Sequence, residues 1–286
     1  MRQSSFKETA ARICFMAAAA LSIVAVALIC IFLFANGIPA LAEIGLPEFL
    51  LGQTWKPTAD EFGIFPMIIG SIYVTVGAII IGVPAGIFTA IYLSRFASKG
   101  IARILRPGIE LLAGIPSVVY GFFALMVVVP LIRTTLPGNG FSLLAAALIL
   151  GIMILPTIIT VSKSALDAVP KNYYEGALAL GATHERAVFR IMVPAAFSGI
   201  MAAVVLGIGR ALGETMAVVM VAGNQPVIPE SLLSGVRTLT ANIVLEMGYA
   251  ADLHKGALIA TGVVLFVLIM LISLLFAAIK KRGEKS

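Results

Sequence analysis

Arg210 and Glu214 stand four residues apart in the middle of an apolar run from Ile191 to Gly223. On an α-helix that spacing puts both side chains on one face. A charge at bilayer depth costs about 3 kcal/mol or more, and it normally faces a partner or a water-filled cavity. Two readings follow. In the first, the pair neutralises itself and anchors helix packing. In the second, Arg210 faces a translocation path, where its planar guanidinium fork suits the oxygens of a phosphate or a carboxylate. Glu214 would then hold the arginine in place and temper a charge that would otherwise trap the passing anion.

A second stretch of interest is Glu175 to Pro194, the one long polar interval between two strongly apolar segments. Its small residues (Gly176, Ala177, Ala179, Gly181, Ala182) come first, followed by Glu185, Arg186, Arg190 and then Pro194. Small residues allow another backbone to approach, and Gly181 permits a turn that a residue with a Cβ resists. A helix, a tight turn and a second helix starting near Thr183 would form a compact knob for a partner; an ordinary solvated loop has the same composition.

The remaining candidates carry less. Glu110 is expected to pair with Arg106, four positions earlier. His184 and His254 are isolated, with no metal-ligand spacing, and are expected to be solvated. Cys14 and Cys30 share one apolar run, where sixteen helical residues separate them by about 24 Å, beyond disulfide reach. Neither a metal nor a cofactor is expected.

Hydrophobic residues make up 60% of the 286 and charged residues 12%, with a mean hydropathy of +1.07. Soluble domains are closer to half apolar and a quarter charged, so the chain is expected to be an all-α integral membrane protein. With about 20 apolar residues per span, six transmembrane helices fit, at about 13–35, 66–94, 107–132, 141–161, 191–223 and 256–279. They would form a single permease domain over 1–286, with a polar loop at 162–190. Trp55 suits a membrane–water interface. Pro84, Pro116, Pro130 and Pro156 fall inside spans, where freed backbone groups need neighbours or a cavity. Gly82-x-x-x-Gly86 and Gly209-x-x-x-Gly213 allow close helix approach. Leu239, Ile243, Val244 and Met247 suggest a short helix between the last two spans, either packed on the bundle or open to a docking protein.

Fifteen of the 20 Lys and Arg lie at the two ends, in the 95–106 turn and in the 162–190 loop. Positive residues mark the cytoplasmic face, so both termini and the polar loop are expected inside. This placement also explains the net charge of +6 without nucleic acid.

Glu175-x-Ala177, then Gly181, then Ile191-x-x-Pro194 resembles the signature loop of ABC importer permeases; Gly176 stands where Ala is usual there and Val193 where Leu is usual. Glu110-Leu-Leu-Ala-Gly-Ile-Pro-Ser-Val-Val-Tyr-Gly-Phe-Phe123 and Gly209-Arg-Ala-Leu-Gly-Glu-Thr-Met-Ala-Val218 resemble the third and fifth spans of phosphate importer permeases of the PstC type. Trp55-x-Pro57, Phe62-Gly-Ile-Phe-Pro66, Val221-Ala-Gly-Asn224 and Thr238-Leu-Thr-Ala241 resemble the same family.

The resemblance implies a permease subunit of an ATP-driven phosphate importer in the bacterial inner membrane. It implies ATPase-coupling residues at Glu175, Gly176, Ala177, Gly181, Ile191 and Pro194, and it is compatible with the substrate path expected from the residues Arg210 and Glu214. The implied partners are a PstA-like second permease, a PstB-like ATPase dimer, a PstS-like phosphate-binding protein and membrane lipid. The chain has no Gly-x-x-x-x-Gly-Lys-Ser/Thr loop, the Walker A phosphate cradle, so ATP hydrolysis is expected on a partner and the chain is not expected to be an enzyme. The alternatives are a permease for another oxyanion, such as molybdate or sulfate, and an ion-coupled secondary transporter using Glu214 as an ion site. The second leaves the signature loop without a role. An intramembrane enzyme would need a nucleophile–base pair or ligand cluster in the spans, and none is apparent.

Overall fold

The computed structural model describes residues 2–283, with side chains from 8 to 278. Among the terminal basic residues, Arg2, Lys7, Lys280, Lys281, Arg282 and Lys285 fall outside the described side chains.

The chain is a helical bundle with one two-residue hairpin. Helix α1 (Arg2–Ile44) and the short α2 (Leu46–Leu51) lead to strands β1 (Trp55–Lys56) and β2 (Glu61–Phe62), paired Trp55 to Phe62. Helix α3 (Phe65–Ile91) ends in a π turn over Tyr92–Phe96. Next come α4 (Lys99–Gly114), α5 (Ser117–Phe123), a π turn over Ala124–Val128 and α6 (Val129–Thr135). Helix α7 (Leu143–Asp167) precedes α8 (Lys171–Ala179), α9 (His184–Ala187), a π turn over Val188–Met192 and α10 (Val193–Ala195). The chain closes with α11 (Phe197–Gly213), α12 (Met216–Val221), α13 (Leu239–Glu246) and α14 (Asp252–Gly283).

Among the described residues, five helical stretches are long and apolar enough to cross a membrane: Glu8–Ile44, Phe65–Phe96, Ser117–Thr135, Leu143–Asp167 and Asp252–Ala278. A sixth crossing is possible through His184–Ala195 and Phe197–Gly213, which meet at 68°.

Helix α7 is the core. Ile149, Leu150, Met153, Ile154 and Ile158 are all buried, packed against α3 on one side and α11 on another. The expected glycine seam at Gly82 and Gly86 is present. A Cβ on Gly82 would sit 2.7 Å from the carbonyl oxygen of Gly151, and one on Gly86 would sit 2.7 Å from Ile158. Gly82→Leu is therefore expected to destabilise the chain by about 1–3 kcal/mol or more, seen as a lower unfolding temperature in detergent; an unchanged midpoint would contradict the seam. The second spacing meets no helix of this chain: among the described residues, none beyond the helix itself comes within 4 Å of a Cβ built on Gly209 or Gly213.

Two expected spans are divided. In place of one helix over 107–132, α4 runs through Pro107 to Gly114 and the backbone is extended at Ile115 and Pro116. A residue before proline is pushed out of the α region, which sets the break. Lys99, Arg103, Arg106 and Glu110 recur at helical spacing on α4 opposite Ile101, Ile104, Leu105 and Leu111, so α4 is amphipathic rather than spanning. The run 191–223 is bent at Ala196 and broken again at Glu214, where ψ is 135°. Helix α7 also continues six residues beyond Val161 into the expected loop.

Candidate functional site

The polar interval folds as the spacing predicts, into two helices joined by a tight turn. Gly181 has φ +81°. Its N–H donates to the Leu178 carbonyl at 2.9 Å, and the Ala182 N–H donates to Ala177 at 3.1 Å, the paired bonds of a Schellman stop. Thr183 then caps α9, its hydroxyl accepting from the Arg186 N–H at 3.3 Å. Leu180 at the tip is 91% exposed. Glu175 and Gly176 are exposed beside it, and among the described residues, chain neighbours and the helix's own backbone apart, nothing lies within 4 Å of where a Cβ on Gly176 or Gly181 would be. These small residues are not spent on packing within the chain.

Ala177 is half-buried, Ile191 and Pro194 are exposed, and an open cavity of about 780 Å³ is lined by Glu185, Arg186, Phe189, Arg190 and Ile191. The base of the knob is packed by contrast. Val188, Met192 and Ala196 are buried against Ile91 and Leu166. His184, expected to be solvated, instead places Nδ1 2.7 Å from the Tyr174 hydroxyl, with its ring 4.7 Å from that of Phe96.

Arg210 lies in the last turn of α11, exposed, with no hydrogen bond or ion pair among the described residues. The expected shared face with Glu214 is absent because α11 ends at Gly213. Glu214 Oε1 accepts the Ala217 N–H at 3.1 Å, and the Glu214 carbonyl accepts the Thr240 hydroxyl at 2.9 Å. A carboxylate bonded to the start of the next helix satisfies an otherwise orphaned donor, so an Arg210–Glu214 ion pair is not what anchors packing here. The five N–H donors of Arg210 remain unspent.

The short helices that follow the two breaks, α5 and α12, pack together. A Cβ on Gly121 would lie 2.9 Å from the Ala217 Cα, so α5 and α12 touch backbone to backbone. Tyr120, within electrostatic reach of Arg210, donates its hydroxyl to the Leu112 carbonyl at 2.8 Å and ties α5 back to α4 across its break. Irregular backbone at membrane depth is tolerated where it is buried in protein or lines a cavity, and discontinuous helices commonly build transport sites. This arrangement can receive an anion between the chain and whatever covers that face.

Glu110 does not pair with Arg106. Both line a cleft of about 190 Å³ with Thr160, Lys163 and Ser164, and Lys163 is paired with Asp167.

One polar cluster carried no signal in the sequence. Arg237 Nη1 donates to Glu246 Oε1 at 2.6 Å and to Asn242 Oδ1 at 3.0 Å, and its Nε donates to the Asn224 carbonyl at 2.9 Å. Glu246 Oε2 accepts from Trp55 Nε1 at 2.8 Å and from His254 Nε2 at 2.9 Å. Trp55 is thus buried in this cluster, and His254 is bonded rather than solvated. Trp55 and Glu246 are 191 residues apart, and nothing local connects them. The expected short helix, α13, carries Asn242 and Glu246 and packs on α14 and α3.

A family model described as binding-protein-dependent transport system inner membrane component matches residues 82–285. The chain is similar to the probable ABC transporter permease protein YqgH of Bacillus subtilis, 42% identical over 284 residues, which covers 97% of this chain and 92% of that one. It is also similar to the phosphate transport system permease protein PstC of Mesorhizobium japonicum, 38% identical over 277 residues, covering 90% of this chain and 84% of the relative. Among solved structures, a bacterial transporter that imports the acidic polysaccharide alginate matches with TM-score 0.62 at 17% identity, covering 92% of this chain and 94% of that one. The inward-facing MetNI methionine transporter matches with TM-score 0.58 at 19% identity, covering 80% and 99%. These two speak for the fold alone.

Proposed function

Because this chain belongs to the binding-protein-dependent transport system inner membrane components, we propose that it forms half of the translocation path of an ATP-driven importer of inorganic phosphate. It is a multi-pass inner-membrane permease subunit and not a catalytic enzyme. The observation that carries the phosphate reading is Arg210, an unspent guanidinium in the last turn of α11, just before the break that leads into α12, which packs on α5. PstC-named relatives that match along most of the chain support the same substrate.

Both termini and the 175–194 knob face the cytoplasm in this reading, in keeping with the distribution of Lys and Arg. A PstB-like ATPase pair grips the knob at Glu175, Gly176, Ala177 and Gly181 and along Ile191 and Pro194. A PstA-like permease covers the face of Arg210, Gly209 and Gly213. A PstS-like protein delivers phosphate at the opposite end. ATPase closure then rocks the bundles about the anion site, as in alternating access, with Arg210 and Glu214 on the path.

Uptake of labelled phosphate into vesicles holding the complete transporter tests this. Competition by unlabelled phosphate, but not by molybdate or sulfate at the same concentration, is expected; preferential competition by either of the others would reassign the substrate. Gly181→Trp is expected to uncouple ATP hydrolysis from uptake with insertion intact. The left-handed backbone costs an L-residue about 1–2 kcal/mol, and the indole would fill the space left open for the partner. Unchanged uptake per ATP would contradict the assigned grip.

A further inference from the structure

The knob has two covalent exits, back into α7 and forward into α11 through the 68° bend at Ala196. It also touches a third helix to which it is not directly joined. The π turn that ends α3, closed by the Ala97 N–H donating to the Tyr92 carbonyl at 2.8 Å, presents three consecutive side chains. Ser94 Oγ donates to Asp167 Oδ1 at 2.5 Å, and Arg95 Nη2 donates to the Leu166 carbonyl at 2.6 Å. These two fasten α3 to the end of α7. Phe96, the third, meets the ring of His184 edge-on at 69°.

His184 opens α9 and is bonded to Tyr174 of α8, so one imidazole touches both helices of the knob and the end of α3. π turns inserted in helices frequently mark functional sites, and this one sits where the knob meets the bundle. Helix α3 lies along α7 and also packs on α11, so a push delivered to Phe96 reaches the core through a helix other than the two the knob is joined to.

We propose that His184 is a positioning residue: bonded to Tyr174 and set edge-on against Phe96, it locks the two knob helices together and passes their displacement directly to α3. This rests on the reading of the knob as the ATPase contact. The residues assigned to the ATPase grip are not among the three in this link.

The test uses the complete transporter in vesicles, measuring phosphate taken up per ATP hydrolysed together with the amount of ATPase that co-purifies. Phe96→Leu, which keeps bulk but removes the ring, and His184→Asn, which keeps a polar atom near Nδ1 but loses the ring contact, are each expected to lower that ratio about five- to tenfold. ATPase retention should be unchanged. The double variant should be no worse than either single, because both break one link. Tyr174→Phe, which loosens the knob but leaves the ring contact, should fall between them and wild type.

A wild-type ratio in Phe96→Leu, or a double variant as impaired as the product of the singles, would overturn the proposal while leaving the ATPase contact standing. Failure of any ATPase to co-purify with the unaltered chain would remove both.

Discussion

Arg210→Gln is expected to lower phosphate uptake about ten- to hundredfold while the chain still inserts and assembles. The range follows from the worth of hydrogen bonds to a charged group, about 1.5–3 kcal/mol, converted at about 1.4 kcal/mol per tenfold. Assembly is expected to survive because Arg210 is exposed and makes no hydrogen bond or ion pair among the described residues, so its loss strands no partner within the chain. Arg210→Lys should fall between the two, because a point charge keeps the attraction and loses the bidentate fork. Glu214→Gln should be milder than either. The amide oxygen can still accept the Ala217 N–H, and no ion pair with Arg210 is there to be broken. Uptake and ATPase activity measured on one preparation separate these outcomes; wild-type uptake in Arg210→Gln would end the assignment of Arg210 to the path.

Glu246→Ala is expected to cost about 3–5 kcal/mol of stability, the penalty of breaking a buried pair and leaving its partner charge uncompensated. Side-chain exposure is 15% for Arg237, 9% for Glu246 and 15% for His254, so water cannot readily replace the carboxylate. Removing it strands His254 Nε2 and the Trp55 indole N–H together and takes the counter-charge from Arg237, leaving that guanidinium with only the Asn242 side chain and the Asn224 carbonyl. Because Trp55 precedes α3, Asn242 and Glu246 lie on α13, and His254 lies on α14, the cluster staples three parts of the fold. Glu246→Gln should cost less, since the amide oxygen can still accept one of these bonds. Thermal unfolding in detergent reads both variants, and equal midpoints for Glu246→Ala and wild type would show that the cluster contributes nothing to the fold.

The family, the helical class and the knob were legible because their signals are local. Apolar run lengths report membrane crossing, and the distribution of Lys and Arg supports an orientation. Gly181 followed by Thr183 spells a helix stop and a helix start within three residues, and the structure realises both. The glycine seam at Gly82 and Gly86 was also legible, whereas the same spacing at Gly209 and Gly213 meets no other helix among the described residues, because spacing states that approach is possible and not what approaches.

What only the tertiary structure decided were the places where continuous apolar runs break and the polar groups that meet across long distances. Hydropathy does not distinguish an unbroken helix over 191–223 from one bent at Ala196 and interrupted at Glu214; the break depends on Glu214 reaching Ala217 and Thr240 once α13 is in place. Trp55 and Glu246 find each other only after α3, α13 and α14 have packed, and His184 meets Phe96 only once the knob has folded back on α3. Periodicity is written along the chain within a few residues; contacts between distant segments are chosen by the free energy of the whole assembly, and no short window of sequence contains them.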